Sequence, residues 1–287
     1  MLTRPLRRKY PITVSRVGGW VLNLLLIVLG LLILTPFLWA FTNALLPQQE
    51  ALSLPPKWLP THITWDNFAQ VFAMIPFGLM VFNSLKIALL TTLGALIVST
   101  LAAYALARLT FPGRNAVFIL LLSALMVPTQ VTAIPTFILI RTLGLLDTHE
   151  AVYLPALINV FGIFFLRQFF LTIPSELEDA ARIDGAGYLR RLWTVILPLS
   201  RSALASLAIF IFLASWNDLF WPNLFLSSPE KMTLPLGLVS LRNPYGSGAP
   251  PSVIFAAISL VLVPVLILFS FTQRSITESI ARTGLRG

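Results

Sequence analysis

Four charge-free runs dominate this sequence: residues 17–49, 87–107, 115–140 and 243–273. Each is at least about 20 residues, the length a helix needs to cross the hydrocarbon of a bilayer. Inside a bilayer the backbone must satisfy its own polar groups, so such runs have to be helical. Charged residues make up 11% of the chain, against about 25% in a soluble domain. The chain reads as an all-α polytopic membrane protein without a large soluble domain.

Six spans are expected, at 18–45, 80–107, 115–140, 151–170, 203–223 and 252–272, the first, third and sixth uninterrupted. Placing residues 1–17 in the cytoplasm puts fifteen of the twenty bases on the inner side and five, Lys57, Lys86, Arg141, Lys231 and Arg242, on the outer. That bias favours both termini inside. The net charge of +9 therefore reports orientation and not a nucleic-acid partner. Arg167 and Lys86, near span ends, are expected to snorkel to an interface. The charge-free stretch after Arg16 is longer than a signal-peptide core, so it reads as a retained first span.

An outer loop at 46–79 follows the first span, the remaining spans make a core from 80 to 272, and an inner tail follows at 273–287. A second outer loop, 224–251, is rich in proline and glycine and is expected to be irregular. Zero cysteines exclude disulfides and thiolate chemistry. His62 and His149 lie far apart with no second ligand at helical spacing, so no metal or other cofactor is expected. A phosphate-binding loop needs Gly-Lys-Ser or Gly-Lys-Thr, and none of Lys9, Lys57, Lys86 and Lys231 follows a glycine. The chain is not expected to bind ATP by that route or to be an enzyme.

The most polar segment, 174–198, separates the fourth and fifth spans. Ser175 with Glu178 three residues on forms the pattern of a capping box, predicting a helix from Glu176. Glu176, Glu178 and Asp179 suit the positive end of its dipole. Gly185 is suited to the left-handed conformation that ends a helix, and a second short helix fits Tyr188–Ile196 before Pro198. Ala180 and Ala181 leave room for close approach, while Leu177, Ile183, Leu189, Leu192 and Trp193 offer apolar anchors. These residues by themselves are compatible with a returning loop or with a docking element.

The string Asp179-Ala180-Ala181, Gly185 and Val195-Ile196-Leu197-Pro198 resembles the cytoplasmic signature of bacterial ABC-importer permeases, Glu-Ala-Ala, three residues, Gly, nine residues, Ile-x-Leu-Pro. Aspartate stands for the glutamate and valine for the first isoleucine. Asn83-Ser84-Leu85, Ala103-Tyr104-Ala105-Leu106-Ala107-Arg108, Trp216-Asn217-Asp218 and the terminal Thr283-Gly284-Leu285-Arg286-Gly287 are similar to the carbohydrate-uptake branch.

The resemblance implies a type I ABC importer permease in a bacterial or archaeal inner membrane, working with a second permease, two cytoplasmic ATPase copies and an extracytoplasmic binding protein. It further implies that Glu178, Asp179, Ala180, Ala181, Asp184 and Gly185 couple to the ATPase, and that Asn243, Tyr245 and Gly246 of the outer loop contact the binding protein. Asn217 and Asp218 either line the pathway or fix helix packing. A polyamine or peptide permease is the alternative within the family. A membrane-embedded enzyme would need catalytic partners for Asp218, and no Ser/His or paired-carboxylate arrangement accompanies it.

Overall fold

A computed structural model describes residues 16–284 apart from 52, 54–56, 59 and 243–247. All its regular elements are helices: α1 (Arg16–Ala44), α2 (Asp66–Met74), α3 (Phe77–Arg108), α4 (Arg114–Ala124), α5 (Ala133–Thr142), α6 (His149–Ala156), α7 (Val160–Leu171), α8 (Glu176–Ile183), α9 (Tyr188–Arg191), a π-turn (Leu192–Ile196) running into α10 (Leu197–Leu199), α11 (Arg201–Trp216), α12 (Phe220–Phe225), α13 (Leu234–Ser240) and α14 (Pro251–Gly284). Asn243, Tyr245 and Gly246, expected at the binding-protein contact, lie outside the described residues.

Among the described residues, Gly19–Ala44, Phe77–Arg108 and His149–Leu171 are long and apolar enough to cross a membrane. The segments Tyr188–Leu199 and Arg201–Trp216 make a fourth if counted together, though bent by 82°. The expected uninterrupted span at 115–140 is corrected: α4 stops at Ala124 and α5 begins at Ala133. Pro128 supplies the reason, because it has no N–H and disfavours helix in the residue before it. Pro135, in the first turn of α5, is tolerated there. The expected fifth span also ends early, at Trp216, and α12 follows after a break.

α3, at 32 residues about 48 Å long, is the axis of the bundle. α7 and α11 pack along it, α6 and α13 nearer one end, while α1 and α2 pack on α14. Its buried stripe is small and evenly spaced: Ala88, Thr92, Ala95, Ser99 and Ala103. Small residues let membrane helices approach closely, so dispersion replaces the hydrophobic drive that lipid does not supply. Gly162 of α7 meets this stripe, where an added Cβ would sit 2.7 Å from Ser99 Oγ. Valine at 162 should therefore overpack the α3–α7 seam by about 1–3 kcal/mol, seen as a lower melting temperature of the purified protein.

Around the Phe77 end of α3, polar groups replace apolar packing as the fastening. Buried Asn67 donates from Nδ2 to Ala44 O and Leu46 O, both at 2.8 Å, and accepts from Ser252 Oγ at 3.2 Å. One side chain thus joins α1, α2 and α14. Asn83 Nδ2 donates to Glu230 O and Met232 O, and Ser84 Oγ accepts from Leu234 N–H. These bonds hold the 230–234 segment against α3. The expectation of an irregular 224–251 is corrected in part: α13 is helical, with Pro235 in its first turn, and Gly237 packs on Met80. The glycine there is a packing gap, since a Cβ would meet Met80 Sδ at 2.2 Å.

Asp147 clasps the same end. Its carboxylate accepts from the Ser228 hydroxyl and from the N–H groups of Ser227 and Ser228, and it pairs with Lys231 Nζ at 3.1 Å. Beside it Lys86 Nζ donates to His149 Nδ1 at 3.3 Å, leaving the proton on Nε2, which donates to Lys231 O at 3.0 Å. Lys86 is thus engaged within the protein. The Ser228 hydroxyl, then the two amides, hold the Asp147 carboxyl well below the usual carboxylate range. A depressed folded pKa stabilises fully above the unfolded value near about 4 and is lost as pH falls through the folded one. Asp147 also has a positive φ of 57°, which asparagine tolerates equally well. The melting difference between wild type and Asp147→Asn should therefore stay constant above about pH 5 and shrink below about pH 4.

Candidate coupling site

α8 begins at Glu176 and ends at Ile183, and its C-terminus closes as the sequence requires. Gly185 adopts φ +79°, Gly185 N–H donates to Arg182 O at 3.0 Å, and Ala186 N–H donates to Ala181 O at 2.9 Å. These are the two bonds of a Schellman motif, and they fix the corner that leads into α9. The N-terminus differs from expectation. Ser175 is itself helical in conformation and makes no side-chain capping bond. The capping box is not formed because Glu178 has stronger partners elsewhere.

Those partners lie on α3. Glu178 is 5% exposed, the one buried residue of α8. Its Oε2 accepts from Tyr104 Oη at 3.2 Å, and its Oε1 lies 3.1 Å from Arg108 Nε. The second contact is a Coulombic pairing, since the angle at Nε does not make a hydrogen bond. Arg108 Nη2 also donates to Phe170 O and to Ile173 O, the latter at 2.6 Å. One guanidinium therefore joins the ends of α3 and α7 and the start of α8. Tyr104 belongs to the buried apolar cluster of Phe170, Leu192 and Ile196, which lowers the local dielectric, and the Arg191 charge also acts on it.

The rest of α8 faces outward. Asp179, Ala180, Asp184 and Gly185 are exposed and Ala181 is half-buried. Ile183 is 87% exposed, and Leu177, Tyr188, Leu189 and Trp193 are exposed with it. Of the expected anchors Leu192 alone points inward, together with Ile196, so the anchors divide between two faces. The π-turn widens the helix just before Pro198, with Leu197 N–H donating to Leu192 O five residues back. The wider turn relieves the clash a proline ring makes with the carbonyl four residues earlier.

Asn217 and Asp218 mark the break after α11. Asn217 Nδ2 donates to Leu213 O at 2.8 Å, and Asp218 Oδ1 accepts from Phe220 and Trp221 N–H. The pair stops one helix and starts another, which accounts for both residues through the backbone. Arg167 does more than reach an interface: its Nε donates to Leu106 O at 3.2 Å and its guanidinium lies 3.8 Å from the Phe118 ring centroid. The sequence pattern alone assigns Tyr104 and Arg108 no role. Their i, i+4 spacing on a helix was the available signal.

Residues 96–282 match the family described as binding-protein-dependent transport system inner membrane component. The chain belongs to this family. It is 36% identical to the sn-glycerol-3-phosphate transport system permease protein UgpE of Yersinia enterocolitica over 258 residues, covering 88% of this chain and 92% of that one. It is 38% identical to the arabinooligosaccharides transport system permease protein AraQ of Halalkalibacterium halodurans over 229 residues, 79% and 81% of the two chains. A solved bacterial ABC transporter involved in import of the acidic polysaccharide alginate aligns with TM-score 0.80 and 26% identity over 94% of this chain and 99% of that one. This permease thus has the all-α type I ABC importer fold and is a transport subunit of the inner membrane.

Proposed function

We propose that this permease forms half of an import pathway for a sugar or sugar derivative and that α8 docks onto a cytoplasmic ATPase. The observation that carries the docking reading is the exposed apolar face of Leu177, Ile183, Leu189 and Trp193 around small Ala180 and Ala181. An exposed face of this kind beside the most polar part of a membrane chain suits a soluble partner. With no Gly-Lys-Ser or Gly-Lys-Thr in the sequence, ATP hydrolysis falls to that partner. A second permease supplies the other half of the path, two ATPase copies serve the pair, and a binding protein delivers the solute outside.

In this reading both termini and 174–198 are cytoplasmic, α4 and α5 together make one broken span, and the total is six. The break between them suits a path-facing position, because irregular backbone at membrane depth needs protein or water beside it. Asn217 and Asp218 stand at a second break on the same path, and Asn243, Tyr245 and Gly246 meet the binding protein. The sugar class is supported by relatives named for glycerol phosphate and arabino-oligosaccharides. Uptake by reconstituted complexes of neutral oligosaccharides, acidic oligosaccharides and polyol phosphates, beside polyamines and peptides, tests it. Uptake confined to polyamines or peptides refutes it.

A further inference from the structure

The attachment of α8 to the membrane bundle has an unusual composition. Glu178 is its single buried side chain, while α9 and the π-turn, which it also touches, simply follow it along the chain. Direct attachment to α3 is therefore polar, through Tyr104 and Arg108. The Tyr104 hydroxyl bond and the close Arg108 charge together hold the Glu178 carboxylate against α3. Nη2 of the same guanidinium donates to Phe170 O and Ile173 O, so Arg108 also holds the corner from which α8 emerges. α3 in turn packs on α6, α7, α11 and α13.

We propose that Tyr104, Arg108 and Glu178 form a strut that transmits the displacement of α8 to α3, distinct from the surface by which α8 docks. The three are positioning residues and do not touch solute or nucleotide. The proposal rests on the docking reading of α8 and adds the route by which motion leaves it. Docking uses the outward face, so loss of the strut leaves the ATPase bound but poorly linked to the spans.

The test uses the complete importer in proteoliposomes, with ATPase co-purification and solute moved per ATP hydrolysed as its two readouts. Glu178→Gln keeps the shape and removes the charge, and Arg108→Lys keeps the charge and removes the guanidinium. Both should co-purify with ATPase while solute per ATP falls about tenfold, since one loses the charge pairing and the other the group that directs it. Combining them should lower the ratio no further than the worse single change, as expected of one unit. Tyr104→Phe should lower it about threefold.

A wild-type ratio in both Glu178→Gln and Arg108→Lys overturns the strut, as does loss of ATPase from either complex. Should both fail to accumulate, Tyr104→Phe decides alone, and an unchanged ratio there overturns the proposal. Gly185→Val separates the two readings. If it sheds ATPase while Glu178→Gln keeps a wild-type ratio, only the strut is wrong. If it keeps both ATPase and uptake, the docking assignment is wrong.

Discussion

Uptake should fall at least about tenfold when valine replaces Gly185, with the permease still inserted in the membrane. No atom beyond the adjacent residues lies within 4 Å of the position a Cβ would take, so the loss does not come from crowding within the permease. It comes from φ +79°, where a β-branched residue is strained by about 1–3 kcal/mol. Relief requires a negative φ, which breaks the bonds from Gly185 and Ala186 to Arg182 O and Ala181 O. α9 would then leave the corner in a different direction, and the exposed Leu189 and Trp193 that follow would be displaced relative to α8. Asparagine, which visits the left-handed region more readily, should retain most of the uptake. Equal loss in Gly185→Asn and Gly185→Val would point to bulk and overturn the conformational account. Ala181→Arg, placing bulk and charge on the docking face, should lower ATPase co-purification with α8 itself intact.

Gly185 was legible in the sequence because its role is local: a helix signal, a glycine and a second helix signal stand within a dozen residues. Glu178 was not. Its local context offered Ser175 and a capping box, and its real partners are Tyr104 and Arg108, 74 and 70 positions away. A capping bond of about 1 kcal/mol loses to a buried charge pair with an added hydroxyl donor. The same limit applies to the spans. Hydropathy correctly marked 115–140 as apolar, yet apolarity does not report whether Pro128 kinks a helix or ends it. At Gly237 composition misled in the opposite direction. Proline and glycine suggested an irregular loop, whereas Pro235 opens α13 and Gly237 admits Met80.

Arg108→Leu should be the most destabilising single change at the α3–α8 contact, by about 3–5 kcal/mol, because it strands the buried Glu178 carboxylate beside an apolar cluster. Desolvation sets this scale: the carboxylate gave up water for the guanidinium and recovers neither. Removing both charges in Arg108→Leu with Glu178→Leu should restore part of the loss, since an apolar pair asks for no counter-charge. Restoration should be incomplete for a reason particular to this site. Ile173 O, just past the end of α7, loses its donor in either variant, while Phe170 O keeps the Ile173 N–H, and a buried orphan acceptor costs about 1–3 kcal/mol. Thermal unfolding of the purified complexes gives the order wild type, then double, then single variant. A double variant at or below the single would mean that the carbonyl grip outweighs the ion pair. The guanidinium would then serve α7 first and α8 only in passing.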